Sequence, residues 1–282
     1  MSLRPERNRK MKIQAIGKSD IGLKRKVNED SILVAPDLGL YVVADGMGGH
    51  VAGEVASKIV VDTMADYWRK VKQNDPPSFL SAEQKDLSQG ARHLVNSIHL
   101  ANILIHEAQK RPEYRGMGST VSAFLEEEDR LWIANVGDSP AYILDRGRLV
   151  LISEEHSVEA ERKSKNLAVT ETFVSSTPHL KNVLTRALGV SDKVEVYIHP
   201  IRPEPGDLVL MCSDGLTHDL PQTVVRTVLD DKSMSIETKA DLLIEKAKTA
   251  GGGDNISVVI LEVQEEGKWQ KLKKRFTSIS RP

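Results

Sequence analysis

Four aspartates recur at the same kind of position along the chain. The apolar run 40–44 leads into Asp45-Gly46, the run 132–136 into Gly137-Asp138, and the run 208–213 into Asp214-Gly215, while Asp254 precedes the run 256–263. Any one Asp in such a position reads as a turn residue or a helix cap. Four in parallel circumstances ask for more. If neighbouring strands present these ends at one edge, the carboxylates converge, and their repulsion must be relieved by protonation or by a cation. Oxygen-only ligands are hard donors and suit Mg2+ or Mn2+ rather than zinc. The glycines after Asp45 and Asp214 allow tight turns, and Gly46 can bring its carbonyl oxygen close to an ion.

Other reactive residues point away from rival chemistries. Cys212 follows an apolar run and reads as a packed core thiol. A cysteine-based phosphatase needs an arginine six residues further on, where this chain has His218. The segment Gly46-Met47-Gly48-Gly49 is no dinucleotide fingerprint, because Val51 stands where the third glycine belongs. With a single Cys there is no internal disulfide and no thiolate metal cage, which fits a reducing, cytoplasmic compartment. Lys and Arg number 39 against 40 Asp and Glu, so no global field gathers nucleic acid. No apolar run is long enough to span a bilayer.

The elements that must position these aspartates are short. Segments 11–17, 31–35, 40–44, 121–125, 131–136, 194–199, 207–212 and 256–263 are rich in Val, Ile and aromatics and bounded by turn residues, as strands are. Val55, Ala56, Ile59, Val60, Met64 and Tyr67 recur at helical spacing within 53–70, and a second stripe runs through Leu94, Ile98, Ala101, Ile105 and Ala108. Two further helices are expected at 221–229 and 236–250. Polar turns at 126–130 and 145–148 make 121–152 an antiparallel meander. Residues 154–182 are polar and irregular, an expected surface insertion. At 282 residues and 40% hydrophobic content the chain suits one domain, with helices flanking antiparallel sheet. A basic extension precedes it at 1–10. A basic tail follows at 266–282, where Trp269, Leu272 and Phe276 form an apolar stripe.

In chain order, Arg25-Lys26-Val27-Asn28-Glu29-Asp30, Asp45-Gly46-Met47-Gly48-Gly49-His50, Gly118-Ser119-Thr120, Gly137-Asp138-Ser139, Ser213-Asp214-Gly215 and Gly253-Asp254-Asn255 closely resemble the motifs of bacterial type 2C metal-dependent serine/threonine phosphatases. The resemblance spans residues 11–263. It implies an α+β fold, a four-layer α-β-β-α sandwich with two central antiparallel sheets flanked by helices, over 11–265 with 154–182 as the flap. It implies Asp45 as the carboxylate bridging two Mn2+ or Mg2+ ions and the Gly46 carbonyl as a ligand of one. Asp214 and Asp254 would complete the other. Glu29 and Asp30 match the early acidic pair that orders the second ion directly or through its waters, and Asp138 with Asp214 matches an additional, third-ion site. Arg25 matches the arginine that grips the substrate phosphate. Taken alone, within Lys24-Arg25-Lys26, it reads as a solvated basic loop.

Two ions about 3.5–4 Å apart lower the pKa of a water between them and hold it in line with phosphorus, so no phosphoenzyme is required. A guanidinium donates two parallel hydrogen bonds to phosphate and stays charged at any working pH. The function implied is hydrolysis of phosphoserine and phosphothreonine on proteins by a monomer, countering a bacterial Ser/Thr kinase. Two alternatives share the pattern: a catalytically silent relative that binds phosphoprotein, and a phosphatase dedicated to an anti-sigma-factor antagonist. His50 titrates near neutrality and suits protonation of a leaving oxygen, but equally suits a helix-entry residue that orients the glycine loop. His156, in Glu155-His156-Ser157, resembles a structural Asp-His-Ser turn with Glu in place of Asp. Pro140 stands where relatives commonly carry Arg, removing a backbone donor and a cation beside Asp138.

Overall fold

The computed structural model describes residues 12–49, 51–80, 86–164 and 183–264. The chain runs β1 (Lys12–Asp20), β2 (Asp30–Ala35), β3 (Leu40–Met47), α1 (Val51–Lys72), α2 (Gln89–Ala108), β4 (Gly118–Ser119), β5 (Val121–Glu127), β6 (Arg130–Val136), β7 (Ala141–Asp145) and β8 (Arg148–Leu151). It continues through α3 (Val158–Ser164), β9 (Tyr197–Ile201), β10 (Leu208–Cys212), α4 (Asp214–Thr217), α5 (Gln222–Asp230), α6 (Ile236–Ala250) and β11 (Ile256–Gln264). One sheet has the order β1-β11-β10-β7-β8 and the other β2-β3-β5-β6-β9, with β4 beside β3; neighbours pair antiparallel.

The central strands are apolar on both faces because both faces are covered, which is why they read as continuous apolar runs. In β3, Leu40, Val42 and Ala44 turn toward α1 and α2, while Tyr41 and Val43 turn toward the opposite sheet. In β10, Leu208, Leu210 and Cys212 face α4 to α6, while Val209 and Met211 face inward between the sheets. Three apolar layers therefore separate four layers of structure, the expected α-β-β-α sandwich. Burying each large side chain of the inter-sheet layer, Phe124 and Ile133 among them, contributes roughly 1.5–3 kcal/mol. Cys212 is the core thiol that its apolar run implies, and burial pushes its pKa up, away from a nucleophile.

The expected meander over 121–152 is broken once. The pairs β5–β6 and β7–β8 are hairpins, but β6 and β7 belong to different sheets. The chain crosses between them at residues 137–140. Pro140 suits this step because the crossover asks no donor of it, and its carbonyl accepts from the Cys212 N–H at 3.1 Å. The strand expected at 194–199 lies at Tyr197–Ile201, while Val194 and Val196 pack into the helix-facing core. The polar insertion is not wholly irregular: Val158–Ser164 is helical, started by Ser157, whose Oγ accepts from the Ala160 N–H at 3.1 Å. Residues 165–182 of that insertion, the 1–10 extension, the 266–282 tail with Trp269, Leu272 and Phe276, and His50 lie outside the described residues. Among the described residues no helix is long and apolar enough to cross a membrane.

Candidate metal centre

Asp45 continues the face of β3 that carries Tyr41 and Val43, so it stands at one end of the inter-sheet layer. Asp30, the first residue of β2, is its direct partner in the antiparallel register. From the other sheet, Asp214 opens α4 immediately after β10, and Asp254 lies just before β11. Asp138 sits on the crossover between sheets. Burial and the charges of Asp30, Asp214, Asp254 and Asp138 hold the Asp45 carboxyl well above its ordinary range. Burial, then the charges of Asp214 and Asp254, push Asp30 up to about 7 against two serine hydrogen bonds that favour its ionised form. Asp138 also rises to about 7, through burial and the charge of Asp214, and Asp214 is raised by burial and Asp254. The strand ends thus converge, as their sequence positions imply.

A polar scaffold fixes each carboxylate. The Thr120 N–H donates to the Asp45 carbonyl at 2.8 Å, the Asp45 N–H to Thr120 Oγ1 at 3.1 Å, and Ser119 Oγ to the same Asp45 carbonyl at 3.0 Å. Thr120 Oγ1 also meets Ser139 Oγ at 2.7 Å, which ties Asp45 to the crossover bearing Asp138. Ser213 Oγ donates to Asp30 Oδ2 at 2.7 Å and accepts from the Ser257 N–H at 3.0 Å. Asn255 organises the loop after β1: its Oδ1 accepts from the Glu29 N–H at 2.8 Å, and its Nδ2 donates to the carbonyls of Ile21 and Val27, both at 3.0 Å. Sequence reasoning assigned no part to Ser119, Thr120, Ser213 or Asn255. Their signal was their place inside the ordered motifs, next to the aspartates.

That loop carries Arg25 to the cluster. Its Nη2 donates to Asp254 Oδ2 at 2.6 Å and its Nη1 lies 3.7 Å from Glu29 Oε2, yet the side chain stays 45% exposed. It is therefore no mere solvated basic residue, and it retains a face for an anion.

The glycines act differently from the expected tight turns. Gly46 lies within β3, and a Cβ there would meet the Gly53 carbonyl oxygen at 2.0 Å and that of Glu29 at 2.7 Å. The missing side chain lets α1 and the Glu29 backbone pack against the strand. At Gly215 a Cβ would meet the Asn255 carbonyl oxygen at 2.0 Å, so this glycine brings α4 against the Asp254 segment.

His156 has the structural place its motif implies. Its N–H donates to the Gly137 carbonyl at 3.0 Å, and its Nδ1 accepts from the Gly137 N–H at 3.1 Å. The proton then belongs on Nε2, which lies 3.3 Å from Glu154 Oε1 and 3.1 Å from Arg186 Nη1. Burial, then the charge of Arg186, lowers its pKa and keeps it neutral.

Asp30 Oδ1 and Asp214 Oδ1 are buried and meet no hydrogen-bond donor among the described residues, the one help to Asp214 being a carboxyl-to-carboxylate bond with Asp45. Leaving such a charged oxygen uncompensated costs more than about 1–3 kcal/mol. An oxygen-only donor set with two orphaned anionic oxygens fits a hard divalent cation. Among the described residues, no three His, Cys, Asp or Glu side chains already form a closed ligand group, so the donors share one edge without being drawn around a point.

Carboxylates of this kind beside one guanidinium, at the end of a double-sheet sandwich, define a metal-dependent phosphatase. Comparison with known proteins is direct. The family model described as protein phosphatase 2C matches residues 17–243. The serine/threonine phosphatase stp of Listeria welshimeri is 35% identical over 248 residues, covering 87% of this chain and 94% of that one. The solved serine/threonine phosphatase of S. agalactiae superposes with a TM-score of 0.77 at 31% identity, covering 90% of this chain and 100% of its own. The catalytic domain of PstP, solved in complex with two manganese ions, superposes with a TM-score of 0.71 at 28% identity, covering 90% and 99%. The chain belongs to the protein phosphatase 2C family and is a serine/threonine phosphatase of the bacterial type.

Proposed function

We propose that this enzyme hydrolyses phosphoserine and phosphothreonine on proteins, countering a bacterial Ser/Thr kinase, with two Mn2+ or Mg2+ ions held at the carboxylate cluster. The observation that carries this reading is the pair of orphaned buried oxygens, Asp30 Oδ1 and Asp214 Oδ1, in a cluster whose members raise one another's pKa. The two manganese ions in the PstP structure support it.

Asp45, which feels the charges of carboxylates from both sheets, would hold both ions, and the Gly46 carbonyl beside it would add a ligand to one. Asp214 and Asp254 would complete the other. Glu29 and Asp30 would order the second ion directly or through water, and Asp138 with Asp214 would supply a third, weaker site. Ions held there supply the Lewis acidity that ionises an attacking water and offsets charge on the leaving oxygen. Arg25 binds the substrate phosphate through its exposed face, exchanging its bond to Asp254 for a bidentate contact. All these residues come from one chain, so a monomer suffices. In the test, a phosphothreonine peptide should lose phosphate with Mn2+ present, chelation should abolish the release, and Asp214→Asn should cut it by roughly 10²-fold or more. Activity that persists in both sinks the reading.

A further inference from the structure

Beside the carboxylate cluster lies a groove of about 250 Å3, with Asp138 and Asp214 at its inner end. It is below the roughly 300–1,000 Å3 typical of small-molecule sites and is sized for a single side chain. Pro140, Tyr142 and Leu151 give it an apolar side, Ser153, Thr217 and Gln222 a polar one, and Glu155 stands among the lining residues as an exposed carboxylate. Asp214 adds a second carboxylate at the inner end, shared with the cluster. The other charged groups facing the groove are Glu154, which is held by His156 and Arg186, and His218, which pairs with Asp219. Among the described residues no Lys or Arg lines it, and Pro140 brings no charge to its wall.

Apolar walls leading to carboxylates match a side chain with a methylene stem and a cationic head. We propose that this groove is a specificity subsite for a lysine or arginine of the substrate protein, close in sequence to the phosphorylated serine or threonine. The stem lies along Pro140, Tyr142 and Leu151, and the head reaches Glu155. Because Asp214 belongs to both groove and cluster, a residue seated there flanks the scissile phosphate. Glu155 is then a specificity residue; its Oε1 is already oriented by Ser157 Oγ at 2.5 Å. The inference rests on the phosphatase reading and adds a substrate preference to it.

The test is kcat/KM on phosphothreonine peptides carrying Lys, Gln or Glu at each flanking position in turn, with p-nitrophenyl phosphate as a substrate that has no flank. At one position Lys should exceed Gln by about fivefold, the gain of one partly screened ion pair. Glu155→Gln should bring that ratio close to one, and Glu155→Lys should turn the preference toward Glu. The subsite is overturned if no position separates Lys from Gln, or if the preference survives Glu155→Lys. It is equally overturned if Glu155→Gln leaves the ratio intact and instead weakens activation by Mn2+, for then the groove serves an ion. Failure to hydrolyse both the peptides and p-nitrophenyl phosphate would overturn the phosphatase reading and the subsite with it.

Discussion

Asp30 and Asp45 face each other directly across the β2–β3 ladder, two carboxylates at the buried end of the inter-sheet layer. Like charges directly opposite are destabilising in a sheet, and here burial adds to the repulsion. Asp30 is raised to about 7 in the folded protein, against about 3.9 when unfolded. A carboxyl whose folded pKa lies above its unfolded value contributes stability that is complete below the unfolded value and lost as pH rises through the folded one. In excess chelator, Tm should therefore fall by several degrees between about pH 4 and pH 7, Asp138 acting in the same sense. Saturating Mn2+ should flatten or reverse that fall, since the ion binds the ionised carboxylates. Parallel Tm curves with and without Mn2+ would separate the repulsion from any metal site.

Asp214→Asn should move stability and activity in opposite directions. The substitution keeps the shape of the side chain but removes one of the charges that raise Asp30 and Asp45. In chelator the variant should be more stable than the parent by about 1 kcal/mol, near one pKa unit of relieved repulsion. With Mn2+ its kcat/KM should be lower by roughly 10²-fold or more, because a lost ligand forfeits several kcal/mol of charge stabilisation. Thermal melts and peptide dephosphorylation on the same preparation check both halves.

Arg25 holds Asp254 at 2.6 Å while nearly half exposed, a geometry suited to exchanging one anion for another. Arg25→Lys keeps the charge but loses the fork, and should raise KM for a phosphothreonine peptide by roughly tenfold, with a smaller change in kcat. Arg25→Ala should cost more in KM. Steady-state kinetics on both variants, with Mn2+ saturating, decides this; an unchanged KM would remove Arg25 from the phosphate.

Much of this arrangement was legible in the sequence. The double-sided apolar runs of β3, β6 and β10 mark strands covered on both faces, and an Asp at or beside the end of each implies a common edge. What escaped is long-range in origin. Alternation tells which faces are buried but not which sheet a strand joins, so the crossover at residues 137–140 was hidden inside an apparent meander. Asn255 spans two carbonyls and an N–H from a loop more than two hundred residues away in sequence, a role that no local pattern encodes. The stretch opening with Ser157 looked irregular because its polar composition masks the cap that starts α3.

Gly46 tests whether close packing, rather than a turn, is what its position requires. Its φ is not among the positive values found at Gly48 and Gly49, so backbone conformation alone would accept alanine. A Cβ would nevertheless lie 2.0 Å from the Gly53 carbonyl oxygen and 2.7 Å from that of Glu29, both main-chain atoms that no rotamer change can move. Gly46→Ala must shift α1 or the Glu29 backbone away from β3. The cost should reach or exceed the roughly 1–3 kcal/mol of core overpacking. Because that movement carries Glu29 away from Asp45, activity should fall even at temperatures where the variant stays folded. Gly49→Ala is the matched control: nothing lies within 4 Å of its Cβ, and its penalty is the strain of φ +77° alone. If Gly46→Ala melts no lower than Gly49→Ala, close packing is not the reason for the glycine.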